Sequence, residues 1–256
     1  MLNKRGKGLW KGLACLAAAL IAALSAGVGR AEAAAAAMNA CGIPNRSLSV
    51  DPTGRIEGFS AVLYNNTNGL PTSEANAIAE TSEGFIWIGS YAGLIRHDGN
   101  SFERMDSSTG ISSVICLYVD SRDRLWIGTN DAGVFVMEHG ALRKWDMTDG
   151  LSAVNIRAIT EDTNGTIYIA TTAGITMIDA EMKLSVLEDT HLDGVYIRDI
   201  RVAEDGLIYG LTQIGDLFTI QNGKLLTYIS AADCRVKGGI GIFPDPKKPG
   251  YLYLGT

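Results

Sequence analysis

Short apolar segments alternate with polar turns along most of this 256-residue chain. One pattern occurs five times: a turn is followed by an apolar run that contains an aromatic residue, three positions after the last residue of the turn. The pairs of turn residue and aromatic residue are Gly84 with Trp87, Asp123 with Trp126, Gly165 with Tyr168, Gly206 with Tyr209 and Gly250 with Tyr253. The aromatic residues lie 39, 42, 41 and 44 residues apart, which is the period of a propeller blade of four strands. The pattern therefore predicts an all-β fold, a β-propeller of four-stranded antiparallel blades.

One repeat unit shows the four strands separately. Apolar segments at residues 75–80, 85–90, 94–98 and 102–106 are separated by Gly, Asp, Asn and Ser, as in a meander of short strands. A helical repeat would place apolar residues three and four positions apart, whereas FIWIG, RLWIG, TIYIA and YLYLG are compact β-branched and aromatic runs. A blade is therefore favoured over a helical repeat.

Positions shared between the repeats are predicted to be structural. Gly93, Gly133, Gly174 and Gly215 close the turn after the second strand, where a positive φ favours glycine. Trp145 lies near the end of a unit, and the pattern leaves open an outer-edge or an inter-blade position for it. The complete set of repeat positions is Trp87, Gly89, Gly93, Trp126, Gly128, Gly133, Tyr168, Gly174, Tyr209, Gly215, Tyr253 and Gly255.

The repeat count predicts an incomplete ring. Residues 59–70 align with the last strand of other units and have no first, second or third strand before them, while the sequence stops within a fifth unit. A propeller usually closes by pairing such a strand with the last blade, which removes the exposed sheet edges. We expect about four blades and part of a fifth, the N-terminal part of a larger propeller at residues 55–256.

The first residues predict export. Lys4, Arg5, Lys7 and Lys11 precede an apolar stretch over residues 12–29, and an Ala-x-Ala site ends at Ala33. This is the pattern of a secretory signal at residues 1–33, followed by a linker at residues 34–54. An uncleaved membrane anchor is the alternative, because this N-terminal hydrophobic helix just reaches the length needed to span a bilayer. Both alternatives place the repeats outside the cytoplasm, on the periplasmic or cell-surface side.

The charge balance limits the classes of binding partner, and the cysteine positions bear on disulfide bonding. Five of the 22 Lys and Arg residues and one of the 28 Asp and Glu residues precede residue 34, which leaves 17 basic and 27 acidic residues in the remainder. This acidic balance disfavours nucleic acid and anionic membrane surfaces as partners. Cys41, Cys116 and Cys234 are far apart in sequence and imply no disulfide framework; Cys116 is expected to be a small buried apolar residue.

Residues 55–256 carry a family resemblance, which is clearest at residues 68–111. The segment NGLPTSEANAIAETSEGFIWIGSYAGLIRHDGNSFERMDSSTGI resembles the two-component regulator propeller repeat, and DSRDRLWIGTNDAGVFVMEHGALRKWD matches it nearly as well. The third copy has Tyr168 for Trp and Ala170 for Gly, and the fourth, with Gly210 and Leu211 exchanged, diverges most. The resemblance implies an extracytoplasmic sensor module of a bacterial membrane signalling protein, followed by a transmembrane helix and a histidine kinase or diguanylate cyclase domain. It also implies homodimerisation through that downstream region.

Ligand contacts are expected at one rim of the propeller. In propellers the loops that enter the first strand and those that join the second and third strands lie on one rim. Here they contain polar groups, two guanidinium groups and two aromatic rings, which suit a glycan, a peptide or a small anionic metabolite. The candidate residues are Asn76, Ser113, Asn155, Arg157, Tyr196 and Arg198 at the entrances, and Tyr91, Asn130, Asp131, Thr172 and Gln213 in the second set of loops.

Catalytic and metal-binding motifs are not found. His97, His139 and His191 do not have metal-ligand spacing, and the acidic turns lack the alternating oxygen ligands of a calcium loop. We expect no cofactor, no metal and no enzymatic activity in this chain, with His97 at a solvated strand end. A secreted structural or adhesion propeller and a carbohydrate-active propeller enzyme remain as alternatives, because propellers place catalytic residues on scattered blades.

Overall fold

Four successive four-stranded antiparallel sheets and one two-stranded sheet make up the fold. The computed structural model describes residues 63–234 and 238–255. Each sheet is a blade that pairs strands in sequence order, as the apolar runs predict. The all-β propeller fold is thus confirmed, with about five blades in the described residues.

The strand bounds agree with the repeat units. Blade 1 consists of β1 (Ala77–Glu80), β2 (Ile86–Ser90), β3 (Gly93–His97) and β4 (Phe102–Arg104), and blade 2 of β5 (Val114–Val119), β6 (Leu125–Thr129), β7 (Val134–Glu138) and β8 (Ala141–Trp145). Blade 3 consists of β9 (Ile156–Glu161), β10 (Ile167–Thr171), β11 (Gly174–Ile178) and β12 (Leu184–Val186). Blade 4 consists of β13 (Ile197–Val202), β14 (Ile208–Thr212), β15 (Leu217–Gln221) and β16 (Lys224–Ile229), and blade 5 of β17 (Gly241–Pro244) and β18 (Leu252–Gly255).

Helical structure in the described residues is confined to short connections. Single-turn 3-10 helices follow β4 and β8 at Ser107–Thr109 and Met147–Asp149, and α1 (Ala231–Cys234) follows β16. No helix within residues 63–234 and 238–255 has the length and apolar character needed to cross a membrane.

The segment before blade 1 is only partly described. Residues 63–70 form a turn and irregular chain, and Leu70 is buried against Ile88 and Ile95. The strand predicted from residue 59 onward begins outside the described residues. The predicted signal and linker, residues 1–54, also lie outside them.

The first strand of each blade is the innermost one. Contacts join β1 to β5, β5 to β9, β9 to β13 and β13 to β17, and the second strand of each of these blades also contacts the first strand of the next. The first strands of successive blades therefore lie next to one another around the propeller axis. This arrangement places the entrances of the first strands at the mouth of the central channel.

The hydrophobic core fills the spaces between neighbouring blades. Between blades 2 and 3 it includes Trp126, Trp145, Ile156 and Ile167. The Trp126 and Trp145 rings are stacked with centroids 5.6 Å apart, so Trp145 is an inter-blade packing residue. Burial of each large apolar side chain contributes about 1.5–3 kcal/mol, which makes these inter-blade spaces the main source of stability.

A serine or threonine completes the turn between the second and third strands. The glycines at this turn have φ values of 116°, 87°, 115° and 105° at Gly93, Gly133, Gly174 and Gly215. In blades 1, 2 and 3 the hydroxyl at the end of the second strand donates to the carbonyl of that glycine; these bonds are 3.0 Å from Ser90, 2.7 Å from Thr129 and 2.9 Å from Thr171. All three hydroxyl side chains belong to fully buried residues, so the turn that supports the rim is rigidly held.

Candidate functional site

The two sets of predicted rim residues meet within blades 2, 3 and 4. Asn130 N donates to Ser113 O at 2.9 Å, and equivalent backbone bonds in blades 3 and 4 join Thr172 to Asn155 at 3.2 Å and Gln213 to Tyr196 at 3.0 Å. In blade 1, Tyr91 O accepts from the amide of Ser113 at 3.2 Å, which links blades 1 and 2. The loops chosen from sequence therefore lie on one rim, next to the channel mouth.

Two of the predicted asparagines hold blades together. The side-chain amide of Asn76 donates to Val114 O of the next blade at 2.8 Å. The side-chain amide of Asn155 donates to Asn130 O of the preceding blade. Both amides thus serve inter-blade packing at the rim, whatever else they contact.

Arg157 brings three blades together. Its Nη1 donates to Asn130 Oδ1 of blade 2 at 2.9 Å, and its guanidinium carbon lies 5.3 Å from the centroid of the Tyr196 ring at the entrance of blade 4. The Nε atom is shielded from solvent and has no hydrogen-bond acceptor in the described structure. This guanidinium is held in place by an amide and an aromatic face, and no carboxylate among the described residues forms an ion pair with it.

The other predicted rim residues differ in exposure. Tyr91 is 57% exposed, Gln213 is exposed, and Arg198 is half-buried. Asp131 is exposed and accepts from the Ser112 hydroxyl at 3.2 Å. These side chains surround the channel mouth but make few contacts with one another.

Sequence reasoning missed an ion pair on the inner strand β13, beside blade 5. Asp199 is buried; its Oδ1 lies 3.2 Å from Arg201 Nε and its Oδ2 accepts from the backbone amide of Ile242 at 3.1 Å. Burial raises the pKa of Asp199, while the Arg201 guanidinium opposes the rise. The alternation of charged residues in IRDIRV was the available signal, since charged residues on an inner strand must face the channel or a neighbouring blade.

Cys116 lies on the inner strand β5. It is half-buried and free, and it packs against the core between blades 2 and 3. Burial raises the pKa of its thiol to about 12, although the Arg201 guanidinium lowers it. The thiol is therefore protonated at neutral pH and serves as a small apolar packing group.

Acidic turns on the opposite face fix the repeated aromatic residue in blades 2 to 5, whereas in blade 1 Trp87 Nε1 donates to the Thr81 hydroxyl at 3.3 Å. Asp120 accepts from Trp126 Nε1 at 2.7 Å, and the tyrosine hydroxyls of the later repeats donate to Asp162, Asp205 and Asp245 at 3.1, 3.2 and 2.7 Å. The same carboxylates accept from backbone amides of their own turns, as in Asp162 with Asn164 and Thr166. No group of three or more His, Cys, Asp or Glu side chains suited to a metal occurs in the described residues.

A cavity of about 260 Å³ lies on that face between blades 3 and 4. Tyr168, Asp162, Asp179 and Met177 line it together with the β15–β16 turn. Gly223 N of that turn donates to the Tyr168 hydroxyl at 2.8 Å, and burial raises the pKa of Tyr168 to about 12. The polar groups here bind one another across the blade boundary.

His97 is not at a solvated strand end, as the sequence predicted, but is 4% exposed. Its ring stacks on Phe102 with centroids 4.2 Å apart, and Tyr64, from the segment before blade 1, lies 6.1 Å away. His97 Nδ1 lies 2.9 Å from Ser101 O. The prediction failed because the covering residue, Tyr64, is distant in sequence and its contact depends on tertiary packing.

The other histidines lie on different blades. His139 is in the turn between β7 and β8, and His191 is exposed beside Asp189, with Nδ1 and Oδ1 3.0 Å apart. The ring of His191 also lies 5.0 Å from the ring of Tyr228 on β16.

Comparison with solved structures shows a shared fold. The extracellular domain of BT3049 from B. thetaiotaomicron, assigned to a hybrid two-component system, is 17% identical with a TM-score of 0.57; 73% of this chain and 26% of that chain are covered. Virginiamycin B lyase from Staphylococcus aureus is 19% identical with a TM-score of 0.58 (71% and 62% covered). PorZ, a surface component of the type-IX secretion system of Porphyromonas gingivalis, is 15% identical with a TM-score of 0.59 (78% and 34% covered).

The chain spans less than two thirds of each of these structures. Identities below 20% show the fold that they share and nothing about a common ligand. No curated protein matches the chain.

The family profile described as two component regulator propeller matches residues 69–92, 110–131 and 150–173. Each match runs from the end of one unit through the first two strands of the next blade. The fourth copy, which diverges most in sequence, is not matched. Three repeats of this chain therefore match the two-component regulator propeller repeat.

Proposed function

We propose that this chain is the ligand-sensing input region of a membrane signalling protein and that it works outside the cytoplasm. The observation that supports this best is the convergence of Asn130, Arg157 and Tyr196 from three blades at one channel mouth, in a chain built from regulator propeller repeats. Polar and aromatic groups held rigidly around a concave mouth are suited to binding a small ligand.

Export and membrane attachment are parts of the same proposal. The basic, apolar and Ala-x-Ala pattern of residues 1–33 supports export, and the likeness to an extracellular domain of a two-component system agrees with it. The signalling output, a histidine kinase or a diguanylate cyclase, would lie downstream, and the protein would dimerise through that region. A ligand would act by binding one of two arrangements of the propeller and its membrane-proximal continuation more tightly than the other.

The test uses the protein expressed from its complete gene, in membranes. Glycans, peptides and organic acids are screened by thermal shift, and each binder is then added to an assay of kinase or cyclase output. We expect a binder that changes the output in a dose-dependent way. A binder that leaves the output unchanged at saturation contradicts the proposal.

The same screen separates two other functions. Chemical conversion of a bound molecule would identify a propeller enzyme. A lyase is among the proteins that share the fold. A complete gene without any output domain would identify a structural or adhesion propeller. Among the described residues no observation favours either of these over ligand sensing.

A further inference from the structure

The rim contains a cluster of positive charge within an acidic protein. Among the inner strands β1, β5, β9, β13 and β17, basic residues occur on β9 and β13 alone, as Arg157, Arg198 and Arg201. The chain as a whole has a net charge of −6. Positive charge is thus concentrated on two adjacent inner strands.

Nearby carboxylates are engaged elsewhere. Asp199 is paired with Arg201, and Asp131 accepts from Ser112 on the outer side of the rim. Glu161 lies at the far end of β9 and accepts from the Ser121 amide and hydroxyl, both at 2.7 Å. Neither Arg157 nor Arg198 forms an ion pair in the described residues.

The two arginines occupy the same position in neighbouring blades. On β9, Ile156 and Ala158 pair with Thr171 and Ala170, so Arg157 is the extra residue of a β-bulge. On β13, Ile197 and Asp199 pair with Thr212 and Leu211, so Arg198 is the extra residue of the equivalent bulge. Because β9 and β13 are adjacent, the bulges place both side chains at the same level of the channel mouth.

Tyr196 connects the two positions. It lies two residues before Arg198, and its ring is stacked against the Arg157 guanidinium. Arg157 is also held by Asn130, so its side chain is ordered before any ligand binds. Its Nε has no acceptor, and a small rotation towards an incoming anion would supply one.

We propose that Arg157 and Arg198 form an anion site at the rim, which binds a carboxylate, sulfate or phosphate group of the ligand. The proposal rests on the proposed sensing function and names its ligand class. Paired guanidinium groups recognise such oxyanions through charge-assisted hydrogen bonds. Tyr196, whose ring lies against Arg157, is placed to contact the uncharged part of the same molecule.

Arg198→Gln is the direct test, because Arg198 makes no hydrogen bond or ion pair in the described structure and its loss should leave the fold intact. Titration calorimetry at constant ionic strength uses sodium sulfate, sodium phosphate and sodium glucuronate as probes. Glucose is the uncharged analogue of glucuronate. We expect at least one anion to bind the wild-type protein, and Arg198→Gln to weaken that binding about tenfold or more. Glucose should bind more weakly than glucuronate.

Two further variants serve as controls. Arg104→Gln removes an exposed arginine of the outer strand β4 and should leave anion binding unchanged. Arg198→Lys retains the charge without the planar donors and should restore part of the affinity. Thermal midpoints of all variants show whether they are folded.

The outcomes separate this proposal from the sensing function. Equal anion affinity in the wild type, Arg198→Gln and Arg104→Gln overturns the anion site, as does the absence of binding by every anion. A neutral ligand that changes the output and is insensitive to Arg198→Gln refutes the anion site and keeps the sensing function. Anion binding through Arg198 that never changes the output keeps the site and refutes sensing.

Discussion

Asp123 occupies a backbone conformation that glycine adopts at the equivalent turns. Gly84, Gly165 and Gly206 have φ values of 83°, 79° and 79°, and Asp123 has a φ of 61°. Asp tolerates this left-handed region better than most residues. In return its carboxylate accepts from the Ser82 amide at 2.8 Å and hydroxyl at 2.5 Å, a contact between blades 1 and 2 that glycine could not make.

Replacement of Asp123 by Gly and by Ala should separate these two effects. Both variants lose the bonds from Ser82, but Ala is strained at this φ and should be about 1 kcal/mol less stable than Gly. Urea unfolding of the two variants and the wild type measures the difference. An Ala variant as stable as the Gly variant would show that the left-handed conformation at this turn has no cost.

The side chain of Asp146 makes the stability of the folded protein depend on pH. Its pKa is lowered from 3.8 to about 2, first by the Thr148 hydroxyl and then by the Thr148 amide. A carboxyl with a lowered folded-state pKa stabilises the fold above its unfolded-state pKa, and this contribution is lost as the pH falls through the folded-state value.

Asp146→Asn should therefore weaken the dependence of the unfolding free energy on pH between about 4 and about 2. The amide oxygen of Asn keeps an acceptor for Thr148, so the fold at neutral pH should be retained. Urea unfolding at a series of pH values measures the slope. An unchanged slope in the variant would contradict a lowered pKa at this position.

At the scale of the element, the second strand of blades 2 to 5 has an aromatic residue fixed by an acidic turn. The Tyr168 hydroxyl donates to Asp162 and also accepts from Gly223 N of the next blade. The Tyr209 hydroxyl contacts Asp205 of its own turn at 3.2 Å. The pair of tyrosine and acidic turn therefore joins two blades at Tyr168, whereas at Tyr209 it lies within one blade.

Tyr168→Phe should cost about 1–3 kcal/mol, because a backbone amide and a carboxylate each lose a partner. Tyr209→Phe is the matched control and should cost less. Hydrogen exchange at the Gly223 amide should become faster in Tyr168→Phe alone. An unchanged exchange rate at Gly223 would show that the bond across the blades does not protect that amide.

At the scale of the whole molecule, stability depends on how closely the blades approach. Gly128 of β6 lies opposite Cys116, and a side chain there would meet the Cys116 sulfur and the Ile156 side chain. The equivalent residue in blade 3 is Ala170, which is fully buried. The spacing between blades 2 and 3 therefore depends on the missing side chain at residue 128.

Gly128→Ala should destabilise the protein by about 1–3 kcal/mol through overpacking. In a Cys116→Ala background part of the space is restored, so the cost of the glycine substitution should be smaller. Chemical unfolding of the two single variants and the double variant measures this coupling. Additive effects would mean that the Cys116 sulfur does not limit the approach of the blades.

The fold was largely predictable from the sequence because its signals are local. Strands, turns and the repeat period depend on residues within about one blade of each other, so the runs around Trp87, Trp126 and Tyr168 indicated the blades and their order. The turn glycines were predictable for the same reason, since a positive φ is a property of one residue. The strand order alone was enough to predict which loops lie at the rim.

Only the tertiary structure decided which side chains meet between blades. The contacts of Arg157 with Asn130 and Tyr196, the pairing of Asp199 with Ile242, and the cover of His97 by Tyr64 join residues 27 to 43 positions apart, on different blades or on a segment outside them. Such contacts depend on the spacing and rotation of neighbouring sheets, which a single repeat does not encode. The sequence by itself determined the blades and their rim, and the packing of the blades determined which rim groups contact one another.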